Sequence, residues 1–164
     1  MENMTSQFTG RIIPGTGFAH INHRALIPRL AEHYPPIANC SQFGTINVRL
    51  DQRPIKNVAD HWTPQIRWRP SWLKSGDPDR IEAFGFTNIK LECPIGDQTY
   101  DAWIIYPEGA PVTYSRFEVE VIAGVFVEGV QPGASCAIHL DVRPLIRRPP
   151  WFGKSFNAPV LPLW

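Results

Sequence analysis

No stretch of this 164-residue chain approaches the roughly 20 consecutive apolar residues of a bilayer-spanning helix, although 43% of its residues are apolar. Its apolar residues must therefore supply a core, and the length suits one domain with one sizeable core. An excess of charge of either sign is also lacking. Sixteen Lys and Arg against fifteen Asp and Glu leave a formal charge of +1, so no global basic field points to nucleic acid or an anionic membrane. Cysteine is scarce: Cys40, Cys93 and Cys136 form no C-x-x-C pair, which excludes a zinc knuckle and argues against a disulfide framework. Buried reduced thiols are expected instead. The opening MENMTSQFTGR has neither the charged n-region nor the apolar h-region of a secretory signal. The expectation is a cytoplasmic protein, in which the glycosylation sequons at Asn3 and Asn39 carry no meaning.

Long helical periods are nearly absent too, in keeping with seventeen prolines. What is present is a series of short β-branched and apolar runs bounded by Gly, Pro and Asp. They cover Arg11 to Ile13, Thr45 to Leu50, Ile81 to Phe86, Asn88 to Cys93, Thr99 to Tyr106, Phe117 to Ala123 and Cys136 to Val142. Such spacing predicts a mainly β sandwich or barrel. In "CPIGDQTYDAWIIYP" a hairpin turns at Gly96-Asp97. In "FEVEVIAG" Phe117, Val119 and Val121 alternate with Glu118 and Glu120. One short helix is expected from Arg24 to Tyr34, with Leu26, Ile27 and Leu30 as its apolar stripe and Pro28 in its first turn. The division predicted is a single barrel domain over 1–142, with a long loop or insertion at 54–80, and a basic, proline-aromatic tail over 143–164 that packs on the barrel or on a partner.

Chemistry-bearing residues concentrate in a few places. In "QFGTINVRL" period-two alternation puts Thr45 and Asn47 on one strand face and Ile46 and Val48 on the other. The first face offers an oxygen pair able to hold a cation or a phosphate. "GRIIPGTGFAH" carries Gly15-Thr16-Gly17, where backbone amides can approach a phosphate, although this motif alone reads as a tight turn between strands. A P-loop ending in "GKS" at Gly153 to Ser155 is rejected, because Arg148 stands at its first glycine position and Pro149 and Pro150 remove amide donors. His20 and His23 have no third ligand at metal-binding spacing. Glu118 and Glu120 are either general bases or the solvated face of a strand. Trp62, Trp68 and Trp72, interleaved with Arg67, Arg69 and Lys74, either stack on a ligand or fold inward.

The order of these motifs resembles that of the archaeal CTP-dependent riboflavin kinases. That family's "G-x-v-x-x-G-x-G" opening, helix and "GTLN" strand are matched here by "GRIIPGTG", the segment around Leu26 to Tyr34, and "GTINVRLD". Its strand, hairpin and "E-I-I-A-P" strand are matched by "IKLECPIGDQTYDAWIIYP" and "EVIAG", so the likeness runs from Gly10 to Val142. The departures are Ala19 at a loop glycine, "A-G" for "A-P", and "VFVEGVQPGAS" for an arginine- and aspartate-bearing "L-R-x-x-L-x-L-x-D-G-D" ending.

The resemblance implies a six-stranded cradle-loop (RIFT-type) barrel and a riboflavin kinase-like phosphotransferase. Such an enzyme moves a phosphoryl group from CTP or another nucleoside triphosphate to riboflavin, giving FMN. By the same likeness Thr45 and Asn47 would hold Mg2+, Gly15, Thr16 and Gly17 would cradle the phosphates, and Glu120 would orient or deprotonate the attacking hydroxyl. The hairpin from Leu91 to Trp103 would border an isoalloxazine pocket. The alternative is a non-catalytic module on the same barrel that binds a small ligand or a partner through loop 54–80 and the tail. Single-stranded nucleic-acid binding by Trp and Arg fits the +1 charge less well.

Overall fold

Alternation of apolar residues closes this chain on itself. The computed structural model describes residues 5–15, 18–42, 44–55, 59–108 and 117–141, with the side chains of 5 and 18–23 outside the description. The tail 143–164, Thr16, Gly17, the "GKS" motif and the side chains of Ala19, His20 and His23 lie outside the described residues.

Six strands form the barrel: β1 (Thr5–Ile13), β2 (Thr45–Leu50), β6 (Phe84–Glu92), β7 (Thr99–Pro107), β8 (Glu118–Ala123) and β9 (Ser135–Asp141). Every pairing is antiparallel, in the order β1-β2-β8-β7-β6-β9, and β9 also pairs with β1. The ring has no open edge, so its backbone donors and acceptors are satisfied from strand to strand. Inside it pack Ile12, Ile46, Val48, Leu50, Ile89, Leu91, Ala102, Ile104, Val119, Val121, Cys136 and Ile138. Ile46 and Val48 stand opposite Thr45 and Asn47, and Val119 and Val121 opposite Glu118 and Glu120, as period two requires.

A second core lies on the outer wall. Helix α1 (Phe18–Ala31) lays Leu26, Ile27 and Leu30 over Phe84, Phe86, Ile105 and Ile122. The helix begins six residues earlier than expected, at Phe18, so Pro28 falls in its interior and not in its first turn. Burial of the Leu26-Ile27-Leu30 stripe outweighs the missing N–H and the ring's crowding of the Arg24 carbonyl. The helix ends where Tyr34 N–H bonds the Leu30 carbonyl at 2.9 Å and Pro35-Pro36 follow. A 3-10 helix (Pro35–Gln42) then buries Ile37 and Cys40, three residues apart and so on one face of a three-residue turn. Only one helix was expected from the sequence, and the structure has these two among its described residues.

The segment 54–80 is not a structureless loop. It carries β3 (His61–Trp62), paired with β6, and β4 (Ile66–Trp68), paired with β5 (Arg80–Glu82) in a small separate sheet. Trp68 folds inward: its indole N–H donates to Glu82 Oε1 at 2.8 Å, and its ring meets Phe84 and Trp72 edge-on, at 5.9 Å each. Arg69 is occupied within the hairpin, bonding the Lys74 and Asp77 carbonyls and the Asp79 carboxylate. The expected strand from Ile81 to Phe86 is broken at Ala83, whose N–H is taken by Glu108 Oε2 at 2.8 Å. No helix among the described residues is long and apolar enough to cross a membrane.

Candidate functional site

The outer face of β2 holds two of the side chains that the fold leaves chemically unfinished among the described residues, the others being His61, Trp103 and Tyr106. Gly44 enters the strand at φ +69°, a left-handed conformation that a glycine adopts without penalty. The next residues alternate, so Thr45 and Asn47 face outward while Ile46 and Val48 fill the barrel. Asn47 is only 4% exposed. Yet neither Thr45 Oγ1 nor Asn47 Oδ1, both fully buried, has a hydrogen-bond partner. An unmatched buried acceptor costs about 1–3 kcal/mol, so two side by side amount to a substantial penalty for the folded chain. Atoms of this kind accept from a ligand donor or a water, or coordinate a cation.

Two neighbours complete the arrangement. The first is Gly15, just beyond the end of β1, where the register sets Ile13 opposite Asn47. A Cβ on Gly15 would stand 2.8 Å from Asn47 Nδ2, so the backbone approaches the amide as only glycine allows. Helix α1 opens three residues later, and the first turn of an α-helix has amides without intrahelical partners at the positive end of the dipole. The second neighbour is Glu120 on β8, directly opposite Asn47. Facing residues on antiparallel strands have Cβ atoms about 4.5–5.5 Å apart, which places this half-buried carboxylate beside the amide. Glu118, the alternative base on the same strand, is already engaged, since Arg49 donates to its Oε1 at 2.6 and 3.2 Å through Nη2 and Nε.

Two strands from Thr45 in the same row is Trp103, which was not singled out in the sequence, where it only marked the end of a hairpin. It lies on the outer face of β7 opposite Ile122, which in turn lies opposite Thr45. Its Nε1 is buried without a partner. Alternation in "TYDAWIIYP" assigns Trp103 to the outer face, but only the strand order puts it in line with Thr45. The other unpartnered nitrogen, His61 Nε2, sits away from this row, its ring stacked 4.7 Å from that of Tyr34.

The structure thus brings Gly15, Thr45, Asn47 and Glu120 to one place, while Thr16 and Gly17 lie outside the described residues. Of the Trp and Arg side chains of 54–80, Trp68 and Arg69 are spent on the hairpin itself. Among the described residues no three His, Cys, Asp or Glu gather as a metal cluster. The cysteines are buried and unpaired, and burial pushes the Cys40 and Cys136 thiols up to about 12. Buried, unpaired thiols are what the sequence led us to expect. No family model matches the chain, and no curated protein matches it either.

Proposed function

We propose that this barrel is a riboflavin kinase-like phosphotransferase of the cradle-loop type, using CTP or a related nucleoside triphosphate. The observation that carries this reading is the pair of buried, unpartnered oxygens, Thr45 Oγ1 and Asn47 Oδ1, with Gly15 close against the Asn47 amide. Two neutral oxygens make a weak cation site by themselves, but they fit Mg2+ when the phosphates supply the negative charge. The ion, when bound, neutralises charge on the phosphate oxygens. Gly15 leaves room for phosphates beside the Asn47 amide, and the first turn of α1 offers them backbone donors.

Glu120 is the base in this scheme. The terminal hydroxyl oxygen of riboflavin bonds to the γ-phosphorus as the bond from that phosphorus to the β–γ bridging oxygen breaks. The hydroxyl proton passes to the Glu120 carboxylate and then to solvent, leaving FMN and the nucleoside diphosphate.

Purified protein with Mg2+, CTP and riboflavin should accordingly yield FMN. Asn47→Ala should lower turnover by at least about a hundredfold while the protein still melts cooperatively. Absence of FMN with every nucleoside triphosphate, together with no thermal stabilisation by flavin or nucleotide, would discard the enzyme reading in favour of a binding module.

A further inference from the structure

The end of the barrel where β9 begins is more apolar on its surface than a water-facing rim requires. Five large apolar side chains stand exposed among the described residues, and three of them lie here: Ile95, Val125 and Phe126, at 44%, 51% and 71%. Ile95 belongs to the β6–β7 turn, while Val125 and Phe126 belong to the loop between Ala123 and Ser135. The two loops touch. A Cβ on Gly129 would stand 2.9 Å from Pro94 Cδ, and Cys93 Sγ lies 3.9 Å from the Gly129 carbonyl oxygen. The longer loop is also fastened to the barrel, since Val127 packs into the core, Gly133 N–H donates to the Ile12 carbonyl at 2.8 Å, and Ile12 N–H to the Ala134 carbonyl at 2.9 Å. Single exposed apolar residues are ordinary on a surface, but three on two touching, tethered loops mark a contact surface.

Carboxylates rim the patch. Asp97 follows Ile95 by two residues and Glu128 follows Phe126 by two; both are exposed, and neither joins an ion pair among the described residues. The cations that match them are concentrated at one end of the chain. Arg143, Arg147, Arg148 and Lys154 lie in the 143–164 tail, which has no Asp or Glu, whereas 1–142 holds twelve Lys and Arg against fifteen Asp and Glu. Within the tail Trp151 and Phe152 stand between Arg148 and Lys154, so an aromatic pair flanked by cations answers an apolar patch flanked by anions. Its reach is sufficient. β9 starts beside the patch at Ser135 and ends at Asp141, about 20 Å away at the rise of a strand, and residues 142–150 span up to about 30 Å.

We infer that the tail docks on the barrel that bears it, seating Trp151 and Phe152 on Ile95, Val125 and Phe126 and setting Arg147, Arg148 and Lys154 against Asp97 and Glu128. Two aromatic rings laid on the patch remove apolar surface of both from water, and ring contact with Phe126 adds to that gain. The exposed ion pairs contribute little each and fix which way the segment lies. Docking within one chain is favoured over docking on a second copy, because the short connection from β9 holds the tail at a millimolar effective concentration beside the patch. The docking holds whether or not the barrel transfers phosphate.

The test is the rate at which trypsin cuts the full chain after Lys154, at low salt and micromolar protein. The wild type should be cut at least about fivefold more slowly than Phe126→Ser and Trp151→Ser, with all three melting at the same temperature. Asp97→Lys combined with Glu128→Lys should also expose the bond, and adding Arg147→Glu with Arg148→Glu to that protein should restore protection. Salt at about 0.5 M should speed cleavage of the wild type. Equal rates in the wild type, Phe126→Ser and Trp151→Ser overturn the docking, whether all three are cut quickly or all slowly. Protection of the wild type that disappears on about tenfold dilution overturns it as well, because the tail then sits on a second copy of the chain.

Discussion

At Ile46 and Asn47 both faces of β2 are buried, and they differ in what they do there. On the inner face Ile46 and Val48 meet other apolar side chains of the barrel and need nothing further. On the outer face Asn47, at 4% exposed against 8% for Ile46, is at least as buried and lacks a partner for its carbonyl oxygen. Burial on the inner face stabilises the fold. On the outer face it is a cost that the inner face must offset, and a chain that tolerates such a cost holds it ready for something else.

Each face can be broken by itself. Ile104→Ala, deep in the barrel, should give the largest change, a loss of about 2–5 kcal/mol in denaturant unfolding, with any remaining activity falling only as folded protein is lost. Gly15→Ala should do the reverse. Its new methyl group displaces the Asn47 amide, and FMN formation should drop about a hundredfold with little change in melting temperature.

A smaller effect should appear at the seam where β6 meets β9. There Glu92 Oε2 lies 2.8 Å from His139 Nε2, and Gly96 N–H donates to Glu92 Oε1 at 2.6 Å. The Gly96 bond first, and then His139, hold the Glu92 carboxyl below its ordinary 4.5. A depressed carboxylate contributes stability above its unfolded value and loses it as pH falls through the folded one. Stability measured from pH 5 downward should therefore fall less steeply in Glu92→Gln than in the wild type, with the two curves running parallel near neutrality.

The barrel was legible in the sequence wherever alternation alone decides the answer. Thr45 to Leu50 matches β2, and the Gly96-Asp97 hairpin matches the β6–β7 turn, because both are local patterns. Less was legible where the partner is distant. β1 reaches back to Thr5 because it pairs with β9 at seven positions, a support that "TSQFT" does not announce. β3, β4 and β5 are two or three residues long and are held by β6, Glu82 and Glu108. The early start of α1 and the 3-10 helix depend on burial against the outer wall. At the site, motif order singled out Gly15, Thr45, Asn47 and Glu120. Trp103 stayed hidden because its place in the row needs the β7–β8–β2 order, which no local pattern encodes.

Thr45→Val tests the contrast between the faces most directly, because it replaces an unpartnered hydroxyl with a methyl group of similar shape. Melting curves should be recorded for both proteins alone and with Mg2+ plus CTP at saturating concentration. Alone, the variant should be more stable than the wild type by about 1–3 kcal/mol. With nucleotide and magnesium, the wild type should gain about 5–10 °C and the variant almost nothing. A variant that is less stable alone, yet gains as much from the nucleotide as the wild type, would contradict the assignment of Thr45 to a ligand.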